Sequence, residues 1–328
     1  MTELTTAIPV FNGERFLPAT LDCVAQQTRK PERLVIFDNG STDGTEEIVA
    51  RFKGVPCEFR RNESNLGVLG NANRCLSLAT ETRYLHLLMA DDLVKPDFYQ
   101  KLLPAMEAMK GRGLGYSFNE NISGTGEVIG RNQSQATGQS RQVPLNEFLA
   151  RQATLATVLL PGVILKTDFQ PAPCLFHDMP QVADGLFLAE WAALTGEAIE
   201  VGEYLCQYRL HAFNASSRHM YDLQSFVLDE WRLTKTVLGW MDEPWTAHQL
   251  RRLRLHFQLA ARTQVKIDMM QRLRPQFAVE IRRKQRELAG RPAAFLGWAA
   301  VRARDLLRRL GGKPSKAVEL TSTATVSP

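Results

Sequence analysis

The 328-residue chain has few cysteines and no long apolar run. Its five cysteines are odd in number, widely scattered and without a CxxC pair; they are Cys23, Cys57, Cys75, Cys174 and Cys206. This pattern excludes a disulfide scaffold or a zinc site and predicts reduced thiols in a cytoplasmic protein. No run of about 18 apolar residues is present, so we expect no membrane-spanning helix. The start, MTELTTAIPVFN, lacks the basic and apolar regions of a signal peptide, and none is predicted.

Positive charge is unevenly distributed along the chain. Residues 230–316 contain 20 lysines and arginines against 7 acidic residues, whereas the remainder contains 20 against 28, which gives the net charge of +5. A composition of 44% hydrophobic and 23% charged residues is typical of a folded globular protein. The asymmetry predicts a mildly acidic body and a basic C-terminal part with different surroundings.

Short apolar runs alternate with helical patterns in the first hundred residues. The pattern predicts strands at 4–10, 33–38, 56–61 and 84–89, separated by helices at 14–27, 43–52 and 68–79. This alternation predicts right-handed crossovers and an α/β fold with a Rossmann-like, mostly parallel central sheet flanked by helices.

The patterns change after residue 110. Residues 111–141 are rich in Gly, Ser, Asn and Gln, which predicts irregular structure over one sheet edge with a strand near 114–118. Further strands are expected at 157–165 and 204–210, with a helix at 184–195 between them. Beyond residue 217 every pattern is helical, and the predicted helices are 221–240, 245–272, 276–289 and 293–310.

Polar side chains follow three of the predicted parallel strands, where ligands of open α/β sheets gather. Asn12, Asp38 and the Asp91-Asp92 pair stand at these strand ends. Each alone fits a turn or a helix cap, but together they predict a site for a polar ligand. Adjacent carboxylates repel unless a cation or a donor compensates. Such oxygens suit Mg²⁺ or Mn²⁺ held jointly with phosphate; the alternative is a solvated acidic turn.

Four ordered segments of the chain resemble the inverting nucleotide-sugar glycosyltransferases of family 2. They are IPVFNGERFLPATLDCVAQQT, RLVIFDNGSTDGT, NLGVLGNANRCLSLA and LHLLMADDLVKPDF. The resemblance, over about residues 6–216, implies a GT-A fold. It also implies a glycosyltransferase domain at 1–216, with nucleotide-binding at 1–110 and acceptor-binding at 111–216. Beyond this domain, the helical patterns and the polar composition predict a basic helical region at 217–312 and a disordered tail at 313–328.

The resemblance also implies roles for individual residues. Those expected to bind the nucleotide sugar are Pro9, Phe11, Asn12, Asp38, Asn65, Asn73, Asp91 and Arg209. Asp92 and His211 are expected to hold Mn²⁺ or Mg²⁺, although His211 also fits a phosphate-binding or a structural role. Because a carboxylate only accepts hydrogen bonds, Asp38 favours a base with a ring N–H, such as uracil, thymine or guanine. Asp184 matches the catalytic base, with an ordinary helix N-cap as the alternative.

The implied activity is metal-dependent transfer of a sugar from a nucleoside diphosphate donor, with UDP favoured, to a hydroxyl of a saccharide or lipid-linked saccharide, as in cell-surface polysaccharide synthesis. Two departures from the family pattern favour a rival, a non-catalytic nucleotide-binding assembly subunit: Met89 replaces an aspartate and Ala183 replaces a glutamate. A second rival, an enzyme that makes the sugar nucleotide, would have a Gly/Arg-rich phosphate loop, which FNGERFL does not resemble.

The basic C-terminal helices fall outside the resemblance. Residues 293–316 form a basic amphipathic pattern that predicts peripheral contact with the inner face of an anionic membrane. The alternatives are that these helices pack on the catalytic domain or on a second subunit, and in the second case the protein would be a homo-oligomer. No nucleic-acid-binding module accompanies the basic charge, and no nucleic-acid partner is expected.

Overall fold

Strands and helices alternate along the first part of the chain, as the sequence predicts. The computed structural model describes residues 2–132, 136–155, 158–211 and 222–310, except for the side chains of 305–310. The first elements are β1 (Thr2–Val10), α1 (Leu17–Ala25), β2 (Arg33–Asp38), α2 (Thr45–Arg51), β3 (Cys57–Arg61), α3 (Gly67–Cys75) and β4 (Thr82–Leu87).

The later elements complete the sheet and add helices. They are β5 (Leu93–Val94), α4 (Phe98–Glu107), β6 (Gly113–Ile122), β7 (Val128–Arg131), β8 (Ser140–Val143), α5 (Leu145–Ala153), β9 (Val163–Lys166), α6 (Ala183–Thr195), β10 (Ala198–Arg209), α7 (Asp229–Gly239), α8 (Trp245–Leu273) and α9 (Pro275–Leu310). A π-helical turn, Gln224–Leu228, precedes α7.

The central sheet is mixed and mostly parallel, with the strand order β3-β2-β1-β4-β9-β6-β10-β5. β1 is parallel to β2 and β4, and β2 is parallel to β3. β9 runs antiparallel to both of its neighbours, β4 and β6, and β10 is parallel to β6. The strands β1, β2, β3, β4, β6 and β10 therefore point the same way, and their carboxyl ends share one edge of the sheet.

Alternation of side chains divides the core between the two faces of the sheet. In β2, Leu34 and Ile36 join a buried cluster covered by α1 and α4. Val35 and Phe37 join a second cluster, covered by α3, α5 and α6 and centred on large side chains such as Trp191. Both faces are thus mainly apolar, although a few polar side chains such as Thr6 and His86 are buried within the strands.

The strand predicted near 114–118 is confirmed as part of β6, but the interpretation of the surrounding residues as irregular is wrong, because β6 is a ten-residue strand inside the sheet. Glycine and asparagine are poor strand formers, and they conceal the full length of this strand in the sequence. The glycines are required by packing: a Cβ on Gly115 would lie 2.4 Å from Met106 Sδ of α4, and one on Gly113 would lie 2.7 Å from the Glu197 carbonyl oxygen.

Two compact units make up the chain, Met1–His248 and Gln249–Pro328. The predicted domain boundary at residue 216 and the predicted tail at 313–328 lie outside the described residues. α7 belongs to the first unit, where the Thr234 hydroxyl donates to the Ala153 carbonyl at 2.8 Å.

In the second unit, α8 and α9 are long helices. Gly290 interrupts α9 with φ 74°, a value that favours glycine, and Pro292 follows it, so the predicted helices at 276–289 and 293–310 are the two halves of α9. Gln285 Nε2 donates to the Ala260 carbonyl at 2.7 Å, and His256 Nε2 lies 2.8 Å from the Ala289 carbonyl oxygen. Within the described ranges, no helix combines the length and apolarity needed to cross a bilayer.

Candidate functional site

Asp91 and His211 meet at the carboxyl-terminal edge of the sheet. Asp91 follows β4, and His211 lies two residues beyond the end of β10. The His211 Nε2 atom and the Asp91 Oδ2 atom are 2.9 Å apart. The Asp91 side chain is 30% exposed and that of His211 is 9% exposed, so the pair borders solvent. Residues 120 positions apart in the sequence therefore present one carboxylate and one imidazole together.

Asp92 has a different environment from its neighbour. The residue is only 1% exposed. Its Oδ1 accepts the backbone N–H of Arg209 at 2.8 Å, while its Oδ2 has no partner among the described residues. Burial, and then the charge of Asp91, raise the pKa of Asp92 well above its usual range. Asp92 therefore faces the interior, and its carboxyl group takes up a proton more readily than that of an ordinary aspartate.

Arg209 joins the Asp91-Asp92 segment to the end of β10. Its Nε donates to the Asp91 carbonyl at 2.7 Å, and its Nη1 donates to the Ser123 carbonyl at 3.3 Å. The guanidinium carbon lies 5.1 Å from the centre of the Phe16 ring, and that ring packs on His211 with 4.6 Å between ring centres. Phe16, from the loop between β1 and α1, thus helps to fix both residues.

The loops after β1 and β2 are tied together around Asp38. Asp38 is fully buried, and both of its carboxylate oxygens accept the backbone N–H of Ser41, at 3.1 and 3.2 Å. Asn12, with φ 52°, donates its backbone N–H to the Ser41 hydroxyl at 2.8 Å and accepts the N–H of Thr42 on Oδ1 at 2.9 Å. The sequence-predicted residues Asn12 and Asp38 thus belong to one polar cluster.

Arg61 also faces Asp38 and was not predicted. It ends β3, directly beside Asp38 in the strand register, with Nη1 3.5 Å from Asp38 Oδ2. Its Nη2 donates to the Ser41 carbonyl at 2.7 Å. The sequence contained one indication of this contact. Arg61 ends the predicted strand 56–61, and the predicted strand before it, 33–38, ends in Asp38.

A network of asparagines lies beside this cluster. Asn39 Nδ2 donates to Asn65 Oδ1 at 2.8 Å, and Asn62 Nδ2 donates to both Asn39 Oδ1 and Asn71 Oδ1 at 2.9 Å. Asn71 Nδ2 in turn donates to the Phe37 carbonyl at 2.8 Å. Of these four asparagines, the sequence analysis selected only Asn65, which is exposed.

Asn73 contacts the loop that precedes α6. Its Oδ1 accepts the backbone N–H of Phe176 at 2.7 Å, and its Nδ2 donates to the Phe176 carbonyl at 3.2 Å. The structure therefore gives Asn73 a positioning contact between α3 and the loop that precedes α6. Two other predicted nucleotide-binding residues, Pro9 and Phe11, lie at the end of β1, where Phe11 is 46% exposed.

Asp184 lies in the first turn of α6, and the cap position belongs to Val182. Asp184 Oδ1 accepts the backbone N–H of Gly185 at 2.8 Å. Burial raises the pKa of its carboxyl group, and hydrogen bonds from backbone N–H groups lower it by less. A carboxylate whose pKa is raised accepts a proton more readily than an ordinary aspartate.

The donor set at the edge fits a divalent cation that is shared with phosphate. Mg²⁺ is usually held by one or two carboxylates together with substrate phosphate oxygens, and neutral imidazole is a common side-chain ligand of protein-bound metal ions. Asp91 supplies a carboxylate and His211 supplies an imidazole. Within the part of the chain that the structure describes, no group of three or more His, Cys, Asp or Glu side chains is placed to hold a metal without a substrate.

Comparison with known proteins identifies the fold and a matching sequence family. The fold and the polar sheet edge define an α/β protein of the GT-A class. Residues 5–149 match the family model described as "Glycosyl transferase family 2". This part of the chain therefore has the sequence pattern of glycosyl transferase family 2, as its four sequence segments predict.

Curated relatives match parts of the chain. The chain is 32% identical over 113 residues to the amylovoran biosynthesis glycosyltransferase AmsB of Erwinia amylovora, covering 33% of this chain and 37% of AmsB. It is 25% identical over 207 residues to the putative teichuronic acid biosynthesis glycosyltransferase TuaG of Bacillus subtilis, covering 62% and 77%. For AmsB and for the glycosyltransferase GlyA of Streptococcus pneumoniae, the chain spans only 37% and 18% of the relative's length.

Solved structures share the fold over most of the chain. S. aureus TarS 1–349 in complex with UDP-GlcNAc has a TM-score of 0.58 at 15% identity, covering 92% of each chain. The mannosyltransferase PcManGT of Pyrobaculum calidifontis, in complex with GDP-Man and Mn²⁺, has a TM-score of 0.58 at 14% identity, covering 94% of this chain and 81% of that one. At these sequence identities, the similarity shows that the fold is shared and no more.

Proposed function

We propose that this chain is an inverting glycosyltransferase that moves a sugar from a nucleoside diphosphate donor to a hydroxyl of a saccharide or lipid-linked saccharide in cell-surface polysaccharide synthesis. The observation that supports this most is the Asp91–His211 pair at 2.9 Å on the edge where Asp38 and Asn12 also lie. Structures of this fold bind UDP-GlcNAc and GDP-Man, and curated relatives are named for amylovoran and teichuronic acid synthesis.

Asp38 is proposed to bind the base of the nucleotide. An ionised carboxylate has about four acceptor sites, and the Ser41 N–H uses only part of them, so Asp38 retains capacity for a ring N–H. Uracil supplies such a donor, and we therefore propose UDP as the nucleotide. Arg61, at 3.5 Å, keeps the carboxylate in place and offsets part of its charge.

Asp91 and His211 are proposed to hold Mn²⁺ or Mg²⁺ with the diphosphate. Asp92, the residue expected to be the metal ligand from the sequence, is buried and accepts the Arg209 backbone N–H on Oδ1, so we propose a positioning role for it. A bound cation would neutralise the charge that develops on the leaving diphosphate. Arg209, which is fixed by the Asp91 and Ser123 carbonyls, adds positive charge beside this site.

Asp184 is proposed as the catalytic base. It would take the proton of the acceptor hydroxyl while that oxygen bonds to the anomeric carbon and the bond to the diphosphate oxygen breaks on the opposite face. A single displacement of this kind inverts the anomeric configuration. Because the pKa of Asp184 is raised, we expect kcat/KM to fall as the pH falls through that pKa, since protonated Asp184 cannot accept a proton.

A donor screen tests the proposal. The full chain is incubated with UDP-, GDP- and dTDP-linked sugars, with Mn²⁺ or with EDTA, and the release of nucleoside diphosphate is measured with and without a mixture of oligosaccharide acceptors. We expect Mn²⁺-dependent release from a UDP-sugar, increased by an acceptor. Tight UDP binding without release from any donor would favour the non-catalytic assembly subunit instead.

A further inference from the structure

The second unit contains an open groove between its helices that the proposed activity does not use. Its volume is about 550 Å³, and it is lined by side chains of α8 and of both halves of α9. Three of the lining residues are arginines, Arg282, Arg286 and Arg291, and two are aromatic, Phe295 and Trp298. We propose that this groove is a docking site for the phosphate headgroups of an anionic lipid bilayer, with Phe295 and Trp298 entering the interface.

The arginines of the groove are only partly neutralised. Residues 249–304 contain 14 lysines and arginines against 3 acidic residues. Two of the three are occupied elsewhere: Asp268 pairs with Arg302 at 3.0 Å, and Glu287 pairs with Lys284 at 2.8 Å. Arg286 and Arg291 have no ion-pair partner among the described residues and are exposed. The groove thus has positive charge that requires an anionic partner.

Exposed apolar side chains lie next to this charge. Phe295 is 62% exposed, Leu296 is 49% exposed and Trp298 is 42% exposed. The Phe295 and Trp298 rings stack on each other with 5.8 Å between their centres, and Trp298 shares the groove with Arg286. Arginine side chains next to exposed aromatic and aliphatic side chains are the combination that binds the headgroup region of anionic membranes.

Other occupants fit the groove less well. Residues 311–328 contain two lysines and one glutamate, so this segment does not complement a basic groove. A second copy of the unit has the same positive charge and is repelled at short range. A nucleic acid would complement the positive charge, but it would leave the exposed Leu296 side chain without an apolar contact. A bilayer provides both.

Vesicle binding tests the site. Full-length protein is sedimented with phosphatidylglycerol vesicles and with phosphatidylcholine vesicles, and the partition constant is measured for Arg286→Gln/Arg291→Gln and for Trp298→Ala. We expect binding to phosphatidylglycerol only. The double variant should bind on the order of thirty-fold more weakly, at about fivefold for each arginine near the surface. Trp298→Ala should bind several-fold more weakly.

The matched control is Arg252→Gln/Arg283→Gln, which removes the same charge from exposed positions of the unit that do not line the groove. We expect it to bind within about threefold of the wild type, because the headgroups are held in the groove. An equal loss in both double variants, equal binding to neutral vesicles, or no vesicle binding would overturn the proposal. Tighter binding of a 20-nucleotide DNA strand than of vesicles, measured by fluorescence anisotropy, would also overturn it. UDP binding of the same variants is expected to stay at the wild-type level, which separates this test from that of the proposed activity.

Discussion

Two adjacent aspartates at the end of β4 have opposite environments. Asp91 is partly exposed and faces His211, whereas Asp92 is buried and accepts a backbone N–H from Arg209. Removing the charge of Asp91 affects the proposed cation site directly. Replacing Asp92 changes a buried side chain whose Oδ1 accepts the backbone N–H of Arg209. The two positions therefore form a matched pair for substitution.

We predict that Asp91→Asn abolishes the Mn²⁺-dependent stabilisation by UDP and that Asp92→Asn retains most of it. A ligand that binds only the native protein raises its melting temperature, so a thermal shift with UDP and Mn²⁺ measures the difference. UDP without metal serves as the control for each variant. The opposite result, with the stabilisation lost in Asp92→Asn and kept in Asp91→Asn, would show that Asp92 and not Asp91 holds the metal.

Asp184→Asn separates binding from chemistry. The amide cannot take the acceptor's proton, and general-base catalysis typically contributes about 10²- to 10⁴-fold, so we predict a loss of transfer of that order. UDP affinity should stay unchanged. Product formation by chromatography and UDP binding by calorimetry check the two parts, and normal turnover by the variant would show that another group is the base.

His86 makes the stability of the protein depend on pH. It is fully buried, its ring nitrogens contact the Tyr99 hydroxyl at 2.8 Å and the Pro161 carbonyl oxygen at 2.9 Å, and burial lowers its pKa to about 4. In the unfolded chain the pKa of histidine is about 6.5, so between these values the unfolded state binds more protons. The folded state therefore loses stability as the pH falls through this window.

We predict that this one histidine reduces the free energy of unfolding by on the order of 3 kcal/mol between pH 7 and pH 4. The raised pKa values of Asp92 and Asp184 act in the opposite direction, so the contribution is measured as the difference between the wild type and His86→Gln. Urea unfolding at pH 7, 5.5 and 4 gives both curves. Parallel pH dependence in the two proteins would contradict the assignment.

At the scale of elements, strands with apolar side chains could be predicted over nearly their full length, whereas β6 was predicted only near 114–118. β1, β2 and β4 place apolar residues on both faces, as strands buried between two layers of helices do, and their predicted bounds differ from the structure by at most two residues. β6 contains glycine because α4 approaches its backbone, and the sequence does not show that approach. Tertiary packing against α4 therefore explains why β6 contains glycines, and this packing cannot be seen in the sequence alone.

The glycines of the helices allow a second matched comparison. Gly297 in α9 lies against α8: a Cβ there would be 2.8 Å from the Ala260 carbonyl carbon. Gly239, the last residue of α7, has open space where a Cβ would stand. We predict that Gly297→Ala lowers the free energy of unfolding by about 1–3 kcal/mol through overpacking. Gly239→Ala should leave the stability unchanged or raise it by up to about 1 kcal/mol.

Denaturant unfolding followed by circular dichroism checks this comparison. Because Gly297 belongs to the second unit, the change is expected in the transition of that unit. Equal effects of the two substitutions would show that the close approach of α8 and α9 at Ala260 is not maintained in solution.

At the scale of the whole molecule, the strand order explains why ordered sequence segments could predict the site. β1, β2, β4 and β10 end at one edge, so Asn12, Asp38, Asp91 and Arg209 are brought to one side although they are far apart in the chain. The contacts that hold them were not predictable. Phe16 under His211, Arg61 beside Asp38 and the asparagine network depend on side-chain directions that only the folded loops define.

Calorimetric titration of UDP into the full chain, with Mn²⁺ and then with EDTA, tests the central claim most directly. Asp91 and His211 are proposed to bind the nucleotide through a cation, so we predict saturable binding with Mn²⁺ and at least about tenfold weaker binding in EDTA, a difference of about 1.4 kcal/mol. Saturable binding of equal strength in both conditions, or no binding of UDP in either, would contradict the account.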